Sequence, residues 1–128
     1  MAINELTTLD LSKLTPEQRL ETTQGIVDDL IRSLNLANYS LLWRYLTDDF
    51  SNQCNSTFFS KLSTQLKDSY GQLAVIEQKS SNLDNSQLNE EWLLSTESSN
   101  KLLLCITLTP IKEFLAIKQF AITQSPSD

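Results

Sequence analysis

Three adjacent pairs of acidic residues are the groups in this 128-residue chain that are best suited to chemistry. They are Asp28-Asp29, Asp48-Asp49 and Glu90-Glu91. A pair of carboxylates can bind a metal ion or move a proton when a third ligand or a tyrosine lies beside it. Tyr45 precedes Asp48 by three residues and is within reach of it. For all three pairs, a solvated structural position is the interpretation we favour.

The absence of histidine narrows the possible chemistry further. It removes Ser-His-Asp and Cys-His catalysis and every metal site that needs an imidazole. Two cysteines cannot build a four-thiolate zinc site. Cys54 lacks a neighbouring base, and Cys105 lies in an apolar run that is typical of an inert buried thiol. We therefore predict no catalytic residue, no bound metal and no cofactor.

Charge and hydropathy argue against two further classes of function. The net charge is −6 and the ten basic residues are scattered, whereas a nucleic-acid surface needs clustered Lys and Arg. No stretch approaches the run of about 18 apolar residues that marks a membrane span, and residues 1–14 do not look like a signal peptide. The two cysteines form no disulfide framework, which favours a reducing compartment and predicts a cytoplasmic protein.

Helix caps and hydrophobic period predict three helices followed by four strands. Thr15-Pro16-Glu17-Gln18 has the form of a capping box with proline at the first helical position, and Gly71 is a typical C-terminal cap. After Gly71 the apolar period changes from about 3.6 to about 2 residues. The predicted helices span residues 16–36, 40–47 and 56–70, and the predicted strands lie within residues 72–79, 88–97, 101–109 and 111–122.

The connections complete this prediction. Residues 47–50 are predicted to be a turn, because Asp48 and Asp49 would oppose the negative C-terminal end of a helix dipole. Residues 80–87 are polar and are predicted to be a loop. Residues 1–14 form an N-terminal arm, residues 15–123 a single domain and residues 124–128 a polar tail. Helices that precede a meander of strands predict an α+β fold, with three helices packed on a curled four-stranded antiparallel sheet.

The long helix is followed by a polar break, a short helix and a sheet that begins at a glycine. The segments that carry this pattern are Asn38-Tyr39-Ser40-Leu41-Leu42, Leu46-Thr47-Asp48-Asp49-Phe50, residues 59–66 and Tyr70-Gly71. Over residues 16–122 the chain resembles the nuclear-transport-factor-2-like (cystatin-like) superfamily, and within it the small bacterial domains of unknown function. The resemblance implies that the helices and the curled sheet enclose a cone.

Some members of this superfamily are enzymes, such as ketosteroid isomerases and scytalone-dehydratase-like proteins. The isomerase chemistry needs an inward carboxylate with a Tyr or protonated acid, and the dehydratase type depends on His. Here the inward strand positions are mostly apolar, and Glu77, Glu90 and Glu113 are expected near strand ends, outside the cone. We therefore predict a non-catalytic domain that binds a protein partner or an apolar small molecule. The alternative is a small isomerase- or lyase-like enzyme that uses Asp or Glu and Tyr.

The cone is predicted to enclose a small, mainly apolar cavity. Tyr45 and Tyr70 are the polar groups expected at its mouth. The residues expected in its wall are Leu30, Leu34, Trp43, Phe59, Leu62, Trp92, Leu104 and Ile106. For the aromatic residues, ordinary core packing is the competing interpretation.

The strands also predict a homodimer that forms through the outer face of the sheet. Leu102 and Leu104 belong to one apolar face, and Leu103 and Cys105 keep the opposite face apolar as well. Three helices can cover only one face of a four-stranded sheet, and a large exposed apolar patch marks an interface. The alternative is that the leucine-rich arm, residues 6–14, folds back over that face.

Overall fold

Helices precede strands along residues 9–125, which are the residues that this computed structural model describes. A 3-10 turn, Leu11–Lys13, comes first and is followed by helices α1 (Pro16–Leu36), α2 (Ser40–Trp43), α3 (Asp48–Gln53) and α4 (Ser56–Tyr70). The strands are β1 (Leu73–Asp84), β2 (Gln87–Thr96), β3 (Lys101–Ile111) and β4 (Phe114–Gln124). The predicted α+β class is confirmed. Residues 1–8 of the predicted arm and residues 126–128 of the predicted tail lie outside the described residues.

Helix α1 begins and ends where its sequence predicts. Thr15 Oγ1 accepts a hydrogen bond from the Gln18 N–H at 3.1 Å, and Gln18 Oε1 accepts one from the Thr15 N–H at 2.9 Å. This capping box pairs backbone donors that a helix start would otherwise leave unsatisfied. At the other end, Ala37 has a left-handed φ of 53° and donates to Leu34 O. The predicted bounds, residues 16–36, are confirmed.

The second predicted helix is shorter than expected. Helix α2 ends at Trp43, and the expectation that residues 44–47 are helical is wrong. Leu46 instead forms a parallel bridge with Ile117 of β4. The Ile117 N–H donates to Tyr45 O at 2.6 Å, and the Thr47 N–H donates to Ile117 O at 3.1 Å. These bonds to the edge of the sheet replace the hydrogen bonds that a continued helix would have made.

An additional helix, α3, occupies the position of the predicted turn. Thr47 Oγ1 accepts a hydrogen bond from the Phe50 N–H at 3.2 Å and caps this helix. Asp48 and Asp49 therefore lie in the first turn, where the positive end of the helix dipole stabilises acids. The turn prediction was wrong because it assigned these two acids to the end of one helix, whereas they begin the next.

The strands form one antiparallel sheet in the order β1-β2-β3-β4. Two register shifts interrupt the pairing of β1 with β2, one at Ile76 and one at Lys79. Bulges of this kind bend a strand and increase its twist, and they curl the sheet. Charged side chains and bulges also discourage pairing of an edge strand with another molecule.

Two hairpin turns differ from those that the sequence predicts. The expected loop over residues 80–87 is mostly strand, and the turn is reduced to Asn85 and Ser86, which have φ values of 51° and 65°. Positive φ at both central residues is the conformation of a two-residue hairpin turn. The predicted break between the third and fourth strands, at residue 110, is wrong. Strand β3 continues to Ile111, and the turn lies at residues 112–113, with a φ of 57° at Lys112.

Helix α1 and the inner face of the sheet bury one common hydrophobic core. Alternate residues of a strand point to opposite faces, and the inner face is the one that carries the buried Leu88, Trp92 and Leu104. The apolar residues that α1 buries against it are Ile26, Val27, Leu30, Ile31 and Leu34. Side chains from α2, α3 and α4 complete this core. The helices therefore cover the inner face, as the α+β prediction requires.

Asn35 links α1 to β1 through two side-chain hydrogen bonds. Its Nδ2 donates to Leu73 O at 2.8 Å, and its Oδ1 accepts from the Leu73 N–H at 2.9 Å. Close by, Ser63 Oγ of α4 donates to Leu34 O at 2.7 Å. Backbone groups at the end of α1 and the start of β1 are thus paired where the chain passes from helices to sheet.

The two glycines test the backbone conformation at their positions, because a side chain fits at Gly25 and does not fit at Gly71. Gly71 has a φ of 77° and a ψ of −148°, which side-chain-bearing residues rarely adopt, and a Cβ there would collide with Glu97. Gly25 is exposed within α1, with nothing near the position of an added Cβ. In urea denaturation, we expect Gly71→Ala to lower the free energy of unfolding by about 1–3 kcal/mol and Gly25→Ala to raise it by about 0.5–1 kcal/mol. Equal effects would contradict these conformations.

Candidate functional site

Most residues predicted for the wall of the cone lie together in the packed core. Those that are at most 3% exposed are Leu30, Leu34, Phe59, Trp92, Leu104 and Ile106. Leu62 is partly buried and packs against them. The structure therefore brings these side chains into one hydrophobic cluster that joins the helices to the inner sheet face.

Trp43 and Tyr70 lie away from this cluster's centre. Trp43 is 59% exposed, because the single turn of α2 directs Leu42 toward the core and Trp43 toward solvent. Tyr70 is half-buried at the end of α4, and its hydroxyl accepts a hydrogen bond of 3.4 Å from Gln124 Nε2. Trp43 is therefore a surface residue, and Tyr70 lies at the margin of the core.

A cavity of about 860 Å³ opens where the start of α1 faces the β3–β4 hairpin. Its walls also include Leu9, Leu14 and the connection between α2 and α3, and more than half of its lining residues are apolar. Its other apolar lining residues include Ile26, Leu46, Ile111, Phe114 and Leu115. Its charged and aromatic-polar residues are Arg44, Tyr45, Asp48 and Glu113, which are exposed or half-buried and which we call its mouth. Tyr45 is the predicted site residue that lines this cavity, which we call the end cavity.

Asp29 accepts hydrogen bonds from two residues at the mouth of the end cavity, Arg44 and Tyr45. The Tyr45 hydroxyl donates a hydrogen bond to Asp29 Oδ2, and Arg44 Nη2 donates to the same oxygen at 3.3 Å. The Arg44 guanidinium also lies over the Tyr45 ring, 5.1 Å from its centroid, in a cation–π contact. One carboxylate thus holds both the cation and the phenol in place.

The environment of this cluster alters its protonation behaviour. Burial, followed by the hydrogen bond to Asp29, raises the pKa of Tyr45 above its usual value. Burial, followed by the charge of Asp29, raises the pKa of the neighbouring Asp28 carboxyl. Tyr45 consequently remains a neutral hydrogen-bond donor at neutral pH.

Two further carboxylates line the end cavity without partners of their own. Asp48 and Glu113 are exposed, and within residues 9–125 neither side chain makes a hydrogen bond or an ion pair. Asp48 is positioned by the capped start of α3, and Glu113 by the turn between β3 and β4. Acceptor groups therefore remain available at this mouth.

Glu90 lies on the inner face of β2, contrary to its expected place outside the cone. It is 2% exposed; Oε1 accepts from Trp92 Nε1 at 2.8 Å, and Oε2 accepts from Ser81 Oγ at 2.7 Å. The prediction was wrong because Glu90 shares the period-2 face of Leu88 and Trp92. That alternation was visible in the sequence and could have identified a buried acid. Glu77 and Glu113 are exposed, as predicted.

No metal-binding arrangement occurs in the described part of the chain. Residues 9–125 bring together no three acidic or thiol side chains that could hold an ion. Within the same residues, no helix combines the length and hydropathy that crossing a bilayer requires.

Neither the comparison with protein-family models nor the comparison with curated proteins gave a match. Function is therefore inferred from the geometry of the molecule alone.

Burial of Cys54 makes stability depend on alkaline pH. Its side chain is fully buried, and burial raises the pKa of its thiol from 9.0 to about 11. The unfolded chain loses this proton above its ordinary pKa, whereas the folded chain keeps it until about pH 11, so the free energy of unfolding falls between these values. Between about pH 8 and about pH 10.5, we expect the wild type to lose about 1–2 kcal/mol more than Cys54→Ala in urea denaturation.

Cys105→Ala is the control for this experiment, because Cys105 is only half-buried and should leave most of the effect intact. An identical pH dependence in the wild type and in Cys54→Ala would contradict the buried position of the thiol.

Proposed function

We propose that this chain is a non-catalytic domain that binds an apolar small molecule in the end cavity. The observation that carries the proposal is the wall of this cavity, which is mostly apolar and includes a few polar side chains that are exposed or half-buried. Its volume of about 860 Å³ is typical of small-molecule sites, which range from about 300 to about 1,000 Å³. Removing apolar ligand surface from water contributes about 25 cal/mol per Å² before the costs of association.

The order of elements supports assignment to the nuclear-transport-factor-2-like superfamily. A long helix, short helical segments and a curled antiparallel meander follow one another as that resemblance implies. This support concerns architecture, since one fold hosts many unrelated functions. The proposal of ligand binding therefore depends on the end cavity and not on the superfamily.

The buried and clustered acids support a non-catalytic role. Both Glu90 oxygens accept hydrogen bonds from neutral donors, Trp92 and Ser81, and the residue is 2% exposed. A general base must reach the proton that it removes. Asp29 is likewise occupied, because it accepts hydrogen bonds from Arg44 and Tyr45. These carboxylates are better placed to fix the structure than to transfer protons.

A small isomerase- or lyase-like enzyme is the competing proposal, and the pairing of Tyr45 with Asp29 is the observation that favours it. In such an enzyme, a tyrosine hydroxyl donates a hydrogen bond to the negative charge that develops on the substrate. The Tyr45 hydroxyl already donates to Asp29, so it would have to give up this bond before it could serve a substrate. The pair is therefore better suited to hold the mouth of the cavity in shape.

Filling the end cavity from the exposed side of α1 tests the binding proposal. Thr22 is solvent-exposed and lines the cavity, so Thr22→Trp places a large ring in it without altering the core. With a neutral solvatochromic dye such as Nile red, we expect saturable fluorescence enhancement with the wild type and an affinity at least about 10-fold weaker with Thr22→Trp. The affinity falls because the tryptophan ring occupies the cavity, so the dye buries less apolar surface there.

Thr64→Trp is the matched control, because Thr64 is exposed on α4 and does not line the end cavity. We expect it to bind the dye like the wild type. Equal loss of binding in both variants, or no saturable binding by the wild type, would refute the proposal.

We also propose that two copies of the chain associate through the outer face of the sheet. Leu93 and Leu103 pair across β2 and β3 on this face and are only half-buried by their own chain. Around them lie polar side chains, including Glu91 and Asn89. An apolar centre with a polar rim is the usual composition of a protein interface.

Sedimentation equilibrium tests this association. We expect a mass of twice 14.5 kDa for the wild type at micromolar concentration and 14.5 kDa for Leu103→Lys, because a lysine at the centre of the interface would bury an unpaired charge. Leu20→Lys is the control, since Leu20 is an exposed apolar residue on α1, away from the outer face. A wild type that sediments at 14.5 kDa would disprove the dimer.

A further inference from the structure

We propose that the ligand of the end cavity carries a positively charged, ammonium-type head on an apolar body. This inference rests on the proposed function, because it names the class of molecule that the same cavity selects. Its basis is the distribution of charge at the mouth, together with the aromatic side chains there. The apolar wall favours a ligand with an apolar body, and the charged residues at the mouth favour a positively charged head group.

Carboxylates outnumber cations at the mouth. Asp48 and Glu113 line the cavity, and Asp29 lies directly behind Arg44 and Tyr45. Against these three acids, Arg44 is the one basic residue in the described lining. The excess of negative charge attracts a cation and repels an anion, and this attraction is strongest where water is partly excluded.

The guanidinium of Arg44 is already paired with a carboxylate of its own chain. Its Nη2 donates to Asp29 Oδ2 at 3.3 Å, and its guanidinium lies over the Tyr45 ring. An anionic head that approached Arg44 would compete with Asp29 and would face Asp48 and Glu113 as well. A carboxylate or phosphate ligand is therefore disfavoured, although an arginine lies at the mouth.

Other basic groups near this end of the molecule do not reverse that balance. Lys118 is exposed and shares a neighbouring groove with Asp48, and it makes no ion pair within residues 9–125. Arg19 Nη1 donates to Leu14 O at 3.2 Å, and this contact directs the guanidinium to the backbone. Lys112 lies at the tip of the β3–β4 turn and is exposed, and it is not among the lining residues. The Asp48 and Glu113 carboxylates thus remain unpaired within residues 9–125.

Phe114 provides a second observation that points to a cationic amphiphile. It is 72% exposed, more than any other large apolar residue that the structure describes, and it follows Glu113 directly at the cavity mouth. An exposed aromatic ring in a lining that also carries Asp48 and Glu113 is suited to an alkylammonium group, which gains both cation–π and Coulomb attraction. The same ring can cover the first carbons of the apolar body.

Three ligands with the same chain and different heads test the inference by isothermal titration calorimetry. They are octyltrimethylammonium, octanol and octanoate; the two ions are used below their critical micelle concentrations and octanol below its solubility limit. At low ionic strength we expect octyltrimethylammonium to bind at least about 10-fold more tightly than octanoate, with octanol between them. This preference should shrink at about 0.5 M salt, because ions screen exposed charges.

The double variant Asp48→Asn/Glu113→Gln removes the two unpaired charges at nearly constant shape. We expect it to weaken octyltrimethylammonium binding by about 3–5-fold per carboxylate and to leave octanol binding unchanged. Asp68→Asn/Glu77→Gln is the matched control, because it changes the net charge equally but neither residue lines the end cavity. It should keep the wild-type order of affinities.

Each outcome decides a different point. If octanol binds and is weakened by Thr22→Trp, but the ammonium ligand has no advantage over octanoate, the inference about the head is wrong and the proposed function stands. Tighter binding of octanoate would likewise overturn it and would assign recognition of the head to Arg44. If none of the three ligands binds, the proposed function itself fails, and this inference fails with it.

Discussion

Two backbone hydrogen bonds between residues 45–47 and β4 hold both the fold and the end cavity in place. The Ile117 N–H donates to Tyr45 O, and the Thr47 N–H donates to Ile117 O. They end α2, place Thr47 where it caps α3, and pair backbone groups at the edge of β4. Without them, this connection would leave polar backbone groups unpaired beside an apolar core, which is costly. The same two bonds fix Tyr45 at the cavity mouth.

The interior and the end cavity serve different purposes in the same domain. Between α1 and the sheet, residues such as Leu30, Trp92 and Leu104 are packed against one another and make a rigid support. Glu90 belongs to this support, because its hydrogen bonds to Trp92 and Ser81 tie β2 to β1 and orient the indole ring. A polar group in an apolar core is tolerated when its hydrogen bonds are made. The rim residues of the end cavity are held by this framework.

The buried Glu90 and the carboxylates at the cavity mouth have different hydrogen-bond partners. Inside the domain, both oxygens of Glu90 accept hydrogen bonds from neutral donors. At the cavity mouth, Asp29 gathers Arg44 and Tyr45, while the exposed Asp48 and Glu113 keep their acceptor capacity. Water screens the exposed carboxylates, so they can stay unpaired. One side of the mouth is thus held by hydrogen bonds, and the other side carries exposed acceptors.

Local features of the sequence determined much of the fold. The capping box at Thr15, the glycine at residue 71 and the change of hydrophobic period predicted α1, α4 and the four strands, because caps and periodicity depend on neighbouring residues. Tertiary contacts decided the rest. The bridge of Leu46 to Ile117 ended α2 early, and the end cavity arose where the fold brings residues 9–26, 44–48 and 111–116 together. Of the predicted site residues, Tyr45 lines that cavity, since its place depends on a hydrogen-bond partner more than 70 residues away. Such long-range pairings are set by the packed fold as a whole and leave no local signal in the sequence.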